Sequence, residues 1–301
     1  MEEAGPNAEQ IRYWNEIAGP KWVRLEREIE PQIRPLGLAT MDRAGVSRGE
    51  TVLDVGCGCG DTTLELARRV GPEGRVVGID VSRVMLERAR ERLREAGLGN
   101  VSFELLDAQT GELPEASFDL VYSRFGVMFF ENPRVAFARL GASLRPGGRL
   151  AFVCWQPLER NPWALVPLEA AARYLELPPP PAPGTPGPFG LASAAFLREV
   201  LADAGFADVR LEEHCETLTL GGGVDFERAV ELALEMGPTG AALRAAPAEL
   251  REPVAREVRR ALEPFRTPRG VRLPSAAWIV LARDFRRERA RRTPEKAGAS
   301  S

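Results

Sequence analysis

The residues best suited to chemistry gather in TVLDVGCGCGD, residues 51–61. Gly56, Gly58 and Gly60 alternate directly after a run of β-branched and apolar residues, with Asp54 before them and Asp61 after. A backbone this bare at the end of a strand admits the close approach of another group. A strand, a glycine-rich turn and a helix N-terminus together make a site for an anionic or nucleoside-bearing ligand. Other chemistry has less support. His214 is the single histidine and the one obvious base near neutral pH, but it lies far away in RLEEHCETL. The four cysteines, Cys57, Cys59, Cys154 and Cys215, lack the paired Cys or Cys/His spacing of a structural zinc site. No metal is expected, and the thiols read as free.

A frame of alternating strands and helices must position that loop. TVLDV is an apolar run suited to a central parallel strand covered on both faces. Asp61 is placed to cap a helix carrying Leu64, Ala67 and Val70 on one face. RVVGID (75–80) is a second strand; Ser82 then caps a helix with Met85, Ala89 and Leu93 in register, stopped at Gly97. NVSFELLD (100–107), FDLVYS (118–123) and GRLAFVCW (148–155) are further strands. Such alternation predicts an α/β, Rossmann-like, doubly wound and mostly parallel sheet of seven strands with helical lid and cap insertions. The expected organisation is a helical lid over 1–47, a core over 48–157, and a cap insertion with a Pro-rich connector over 158–192. A core helix and strand follow over 193–224, then a two-helix insertion over 225–268, the last core strand over 269–285 and a flexible tail over 286–301. PPPPAPGTPGPFG in the connector reads as extended polyproline.

Two ligands compete for the glycine turn. A dinucleotide needs G-x-G-x-x-G, whose last glycine falls on Asp61, and a carboxylate there would face a pyrophosphate. S-adenosylmethionine has no phosphate and carries an amino acid and a sulfonium cation, so it tolerates Asp54 and Asp61. The spacing favours it.

With its neighbours the stretch resembles the class I S-adenosylmethionine-dependent methyltransferases from about residue 48 to 155, in the small-molecule group near the ubiquinone/menaquinone C-methyltransferases. VLDVGCGCG is similar to that family's first motif, VVGID to the second, DAQ (107–109) to the adenine site, SRFGVMFF (123–130) to the segment beside methyl transfer, and LRPGGRL to the approach to the fifth strand. The resemblance implies that Gly56, Cys57 and Gly58 admit the methionine part and that Asp54 supports its ammonium. It implies Asp80 and Val81 at the ribose, Asp107, Ala108 and Gln109 at adenine, and Ser123 beside the cofactor. Arg124 and Phe125 would line the acceptor side. Residues 7–23, with Trp14 and Trp22 on a helical pattern broken at Gly19-Pro20, are similar to the group's lid, a hinged aromatic cover that excludes water. No catalytic residue is named, because many methyl transfers need only proximity, alignment and desolvation.

Composition narrows the partners. A net charge of −3 without a basic stripe argues against nucleic acid, and no apolar run nears the roughly 18 residues of a membrane span. The polar, acidic MEEAGPNAEQ lacks the features of a signal peptide, so a cytoplasmic enzyme acting on a small-molecule acceptor is expected. The competing expectations are a non-catalytic S-adenosylmethionine-binding regulator and an NAD-linked oxidoreductase.

Overall fold

A computed structural model describes residues 5–177 and 179–284; the tail expected over 286–301 lies outside them. The chain opens with α1 (Ala8–Tyr13), a π-helical turn (Trp14–Ala18), α2 (Gly19–Arg24) and α3 (Glu26–Ala44). The core follows as β1 (Thr51–Val55), α4 (Asp61–Val70), β2 (Arg75–Asp80), α5 (Arg83–Ala96), β3 (Val101–Leu105), β4 (Phe118–Arg124), α6 (Pro133–Ser143) and β5 (Leu144–Trp155). Then come α7 (Pro162–Ala171), α8 (Ala194–Asp203), β6 (Phe206–Thr219), α9 (Phe226–Glu235), α10 (Gly237–Ala245), α11 (Arg251–Leu262), β7 (Arg266–Thr267) and β8 (Gly270–Asp284).

The strand order is β3-β2-β1-β4-β5-β8-β6, the seven-stranded sheet expected, with the two-residue β7 added to β8. Pairing is parallel from β3 through β5 and antiparallel at β5–β8 and β8–β6. Alternation along the central strands divides the apolar residues between two faces. Val52, Val76, Leu120 and Ala151 join one cluster; Leu53, Val77, Val121 and Phe152 join the other. The direction of winding reverses between β1 and β4, so a crevice opens at their carboxyl ends, where ligands bind in open α/β sheets.

Several local expectations need correction. Asp61 is not a cap: Gly60 takes the N-cap position and Asp61 pairs with Arg92 through both carboxylate oxygens. Ser82 does hold the N-cap position of α5, but its hydroxyl donates to the Trp14 carbonyl, 2.9 Å away. The 225–268 insertion contains three helices, because Gly237-Pro238 starts a new one immediately after α9. The backbone stays helical at Gly19 (φ −61°, ψ −51°), so there is no break at Gly19-Pro20. Gly19 serves contact instead: a Cβ there would lie 2.5 Å from Ser82 Oγ. The Pro-rich connector is not extended throughout, since Gly184 donates to Gly190 O and Gly187 to Met128 O, folding it onto the core.

The two insertions, far apart in sequence, build one cap. Ala171 of α7, Phe226 and Val230 of α9, Val254 and Val258 of α11, and Val271 and Leu273 of β8 form a separate apolar core. At the other end, α3 runs into the main core through Leu25, Ile29, Ile33 and Leu36.

Candidate functional site

A deep cavity lies over the carboxyl ends of β1, β2, β3 and β4, between the N-terminal helices and the cap. Its floor is the glycine loop. Gly56 has φ +66°, and a Cβ on it would sit 2.7 Å from Gly126 Cα; a Cβ on Gly58 would sit 2.8 Å from Met85 Cε. The bare backbone thus serves contacts between protein segments as well as leaving the floor of the cavity open. β1 and β4 can converge at the crevice because glycine meets glycine there. Gly60 faces Phe103 and Ala89, as a packing glycine should.

Three carboxylates close three adjacent strands, each held differently. Asp54 is fully buried; Oδ2 accepts from Thr62 Oγ1 and Thr63 Oγ1, each at 2.7 Å, while Oδ1 has no partner. Burial raises its pKa to about 6 against the pull of those hydroxyls. Asp80 accepts from Gly58 N and Ser82 N, both at 2.8 Å, and burial also raises its pKa. Asp107 accepts from Gln109 N at 2.9 Å and Thr110 Oγ1 at 2.8 Å. Asp80, Val81, Asp107 and Ala108 line the cavity with Gly56, Cys57 and Gly58. Burial pushes the Cys57 and Cys59 thiols up, so neither supplies a thiolate.

Three expected contacts do not reach the cavity wall. The Asp54 side chain lies beneath the loop, tied to the start of α4. Ser123 turns inward to donate to Val55 O at 2.7 Å, and Gln109 Oε1 accepts from Asn132 N at 2.7 Å. Both are braces between loops.

On the far side Arg124 lines the cavity as half of a buried pair with Glu30, Nη1–Oε1 2.9 Å and Nη2–Oε2 2.6 Å. Burial raises the Glu30 pKa, and Arg124 opposes that rise. Phe125 takes a left-handed backbone conformation (φ +63°) and stacks on Trp155 at 4.3 Å; Trp163 follows 4.9 Å beyond. Trp14 and Trp22 are half-buried and line the cavity, Trp14 edge-on to Phe129 at 4.8 Å. Asn15 fastens this segment to the loop after β2, donating to Val81 O (2.8 Å) and accepting from Arg83 N (3.0 Å). His214 sits on β6 with Nε2 3.5 Å from Glu216 and is not among the lining residues. Among the described residues, no group of three His, Cys, Asp or Glu side chains is arranged to hold a metal.

Sequence reasoning missed Asn7, Trp155, Trp163, Thr239 and Gly126. Trp155 and Gly126 carried a signal, since Trp155 ends GRLAFVCW and Gly126 lies within SRFGVMFF; Trp163 and Thr239 sit in insertions with no recognisable pattern.

Residues 52–148 match the family model described as a methyltransferase domain. Aklanonic acid methyltransferase from Streptomyces sp. (strain C5) is 42% identical over 118 residues, 39% of this chain and 54% of that protein. Nocamycin O-methyltransferase from Saccharothrix syringae is 34% identical over 187 residues, 59% and 66% of the two chains. A ubiquinone/menaquinone biosynthesis C-methyltransferase from Enterobacter sp. (strain 638) is 40% identical over 112 residues, 37% and 45%. The matched stretches thus cover between 45% and 66% of these relatives' own lengths. The YcgJ protein from Bacillus subtilis shares the fold, with TM-score 0.55 and 16% identity over 82% of this chain and 97% of that one. Residues 52–148 therefore carry a methyltransferase domain, and the chain is similar there to O- and C-methyltransferases.

Proposed function

We propose that this protein binds S-adenosylmethionine over the β1–β4 crevice and transfers its methyl group to a small-molecule acceptor held between the N-terminal helices and the cap. The carrying observation is the charge arrangement. Asp54, Asp80 and Asp107 end three adjacent strands, while the nearby cations are already committed, Arg92 to Asp61 and Arg124 to Glu30. That arrangement repels a pyrophosphate and suits a cationic ligand bearing hydroxyls.

The residues present fit this cofactor. The unpartnered Oδ1 of Asp54 puts uncompensated acceptor capacity under the glycine loop, which favours an ammonium and a sulfonium above it. Asp80 keeps lone pairs beyond those used by two backbone amides, enough for a pair of ribose hydroxyls. Val81, Met85, Leu106 and Ala108 offer an apolar slot for the base, with Asp107 at its edge. Bound there, the cofactor supplies an electrophilic methyl group on a cationic sulfur.

The protein's part in transfer is positioning and dehydration. Phe125, Trp155 and Trp163 wall the acceptor side, and Trp14, Trp22 and Phe129 cover it against water. The lining titratable groups are engaged: Glu28 with Arg228, Asp61 with Arg92, Arg124 with Glu30. No described lining residue is a histidine, so the acceptor brings its own nucleophilicity. The apolar lining, including Leu220, Leu232, Met236 and Pro188, suits an apolar acceptor. Relatives named as O- and C-methyltransferases support oxygen or carbon as the receiving atom.

Calorimetric titration with S-adenosylmethionine and, separately, NADH tests the reading. Saturable binding of the first alone supports it; preference for NADH would point to an oxidoreductase. Tight cofactor binding without S-adenosylhomocysteine formation across a broad panel of apolar acceptors would point to a regulator.

A further inference from the structure

Asn7 is an anomaly at the cavity's edge. It is 3% exposed, precedes α1, and takes the left-handed conformation (φ +68°, ψ +7°) that asparagine tolerates better than most residues. Its backbone is satisfied: the N–H donates to the Glu131 carboxylate, and the carbonyl accepts from Ile11 N at 3.0 Å. Its side-chain Oδ1 is buried with no partner. A buried acceptor left unmade is costly, and natural structures rarely keep one without a reason. Asn7 lines the same cavity as Leu106, Asp107 and Ala108. A chain of contacts sets it near them, since Glu131 is followed by Asn132, whose N–H donates to the side-chain Oε1 of Gln109, in the turn after Asp107.

We infer that Asn7 is a cofactor-binding residue that reads the adenine edge from the N-terminal segment. The inference rests on the S-adenosylmethionine reading and assigns it a recognition element outside the methyltransferase domain. A carboxamide presents one acceptor beside one donor, the complement of adenine's exocyclic amine and adjacent ring nitrogen. Asp107 contributes an acceptor alone, so the two residues do different work: Asp107 takes an amine hydrogen from the core side, while Asn7 can meet donor and acceptor together. Because Asn7 belongs to the segment carrying Trp14 and Trp22, recognition of the base and seating of the aromatic cover become one event. A ligand with the wrong base edge would leave the cover unlatched at its N-terminal end.

The test is equilibrium binding of S-adenosylhomocysteine and of its hypoxanthine counterpart, in which a carbonyl replaces the exocyclic amine, to the wild type and to Asn7→Gly. Glycine keeps the left-handed backbone without strain, and melting curves of the ligand-free proteins should coincide. The expected result is a loss of roughly five- to hundredfold in S-adenosylhomocysteine affinity in the variant, with the hypoxanthine compound much less affected. The wild type's preference for adenine therefore shrinks. Unchanged S-adenosylhomocysteine affinity, or an equal loss for both compounds, would overturn the inference, the latter marking Asn7 as only a seat for the helix. Failure of the wild type to bind S-adenosylhomocysteine at all would overturn the parent reading, and this one with it.

Discussion

The proposed cofactor half and the proposed acceptor half of the cavity are built in different ways. The cofactor half is made by consecutive strand ends, where backbone turns and one carboxylate per strand converge because a parallel sheet aligns them. The acceptor half is made by residues from six separate places: the N-terminal helices, the β4 and β5 ends, α7, the connector, the turn after β6 and the α9–α10 junction. Local order alone produces the first. The second exists only after two insertions have folded into a cap with its own apolar core. The cofactor half should therefore tolerate changes in the cap, and the acceptor half should fail without damage to cofactor binding.

The largest effect should follow Asp80→Ala. Losing the acceptor for two ribose hydroxyls, at roughly 1.5–3 kcal/mol each, lowers cofactor affinity by about two to four orders of magnitude in calorimetry. The variant should also melt lower than the wild type, because Gly58 N and Ser82 N lose their partner.

Removing the N-terminal cover should separate binding from turnover. The cut belongs before Leu25, since Leu25 and Ile29 are buried in the main core and deletion through residue 30 would damage the fold itself. A chain starting at Leu25 should stay folded and keep measurable affinity, while methyl transfer falls much further because water enters. Equal losses in both measurements would show that residues 5–24 are ordinary packing.

Trp163→Ala should act on the acceptor alone. The side chain lines the cavity, with its indole N–H on Asn161 Oδ1 at 3.0 Å. Losing about 1.5–3 kcal/mol of apolar contact raises the acceptor KM roughly ten- to 150-fold, with S-adenosylhomocysteine affinity unchanged. A matching loss of cofactor affinity would merge the two halves.

The smallest effect is a pH slope. The folded pKa of Asp54, about 6, lies above its unfolded value, so the fold holds that proton more tightly than the unfolded chain does. Its contribution makes the ligand-free protein lose stability as pH rises from about 4 to 6 and level off above. Asp54→Asn should flatten that segment of the stability curve in denaturant titrations. It should also weaken cofactor binding, since the charge beneath the ammonium is gone.

What was legible in the sequence follows the same division. TVLDV, RVVGID and NVSFELL could be read as strands because buried parallel strands need little beyond an apolar run ended by a turn, and Asp80 and Asp107, which line the cavity, stood out because they follow such runs. Gly56 and Gly58 were noticed for their type, but their protein neighbours were not, because Gly126 and Met85 are distant in sequence. Asp61 looked like a cap because its partner Arg92 is a helix and a strand away. Trp163 and Thr239 had no pattern at all, since the cap's shape arises from tertiary packing of short helices.

Hydrogen exchange with and without S-adenosylhomocysteine tests the central claim most directly. The account predicts slowed exchange in the 55–61, 80–83 and 106–110 loops and in residues 7–24, with α9 and α11 unchanged. Protection confined to the cap, or none at the β1 and β2 loops, would contradict it.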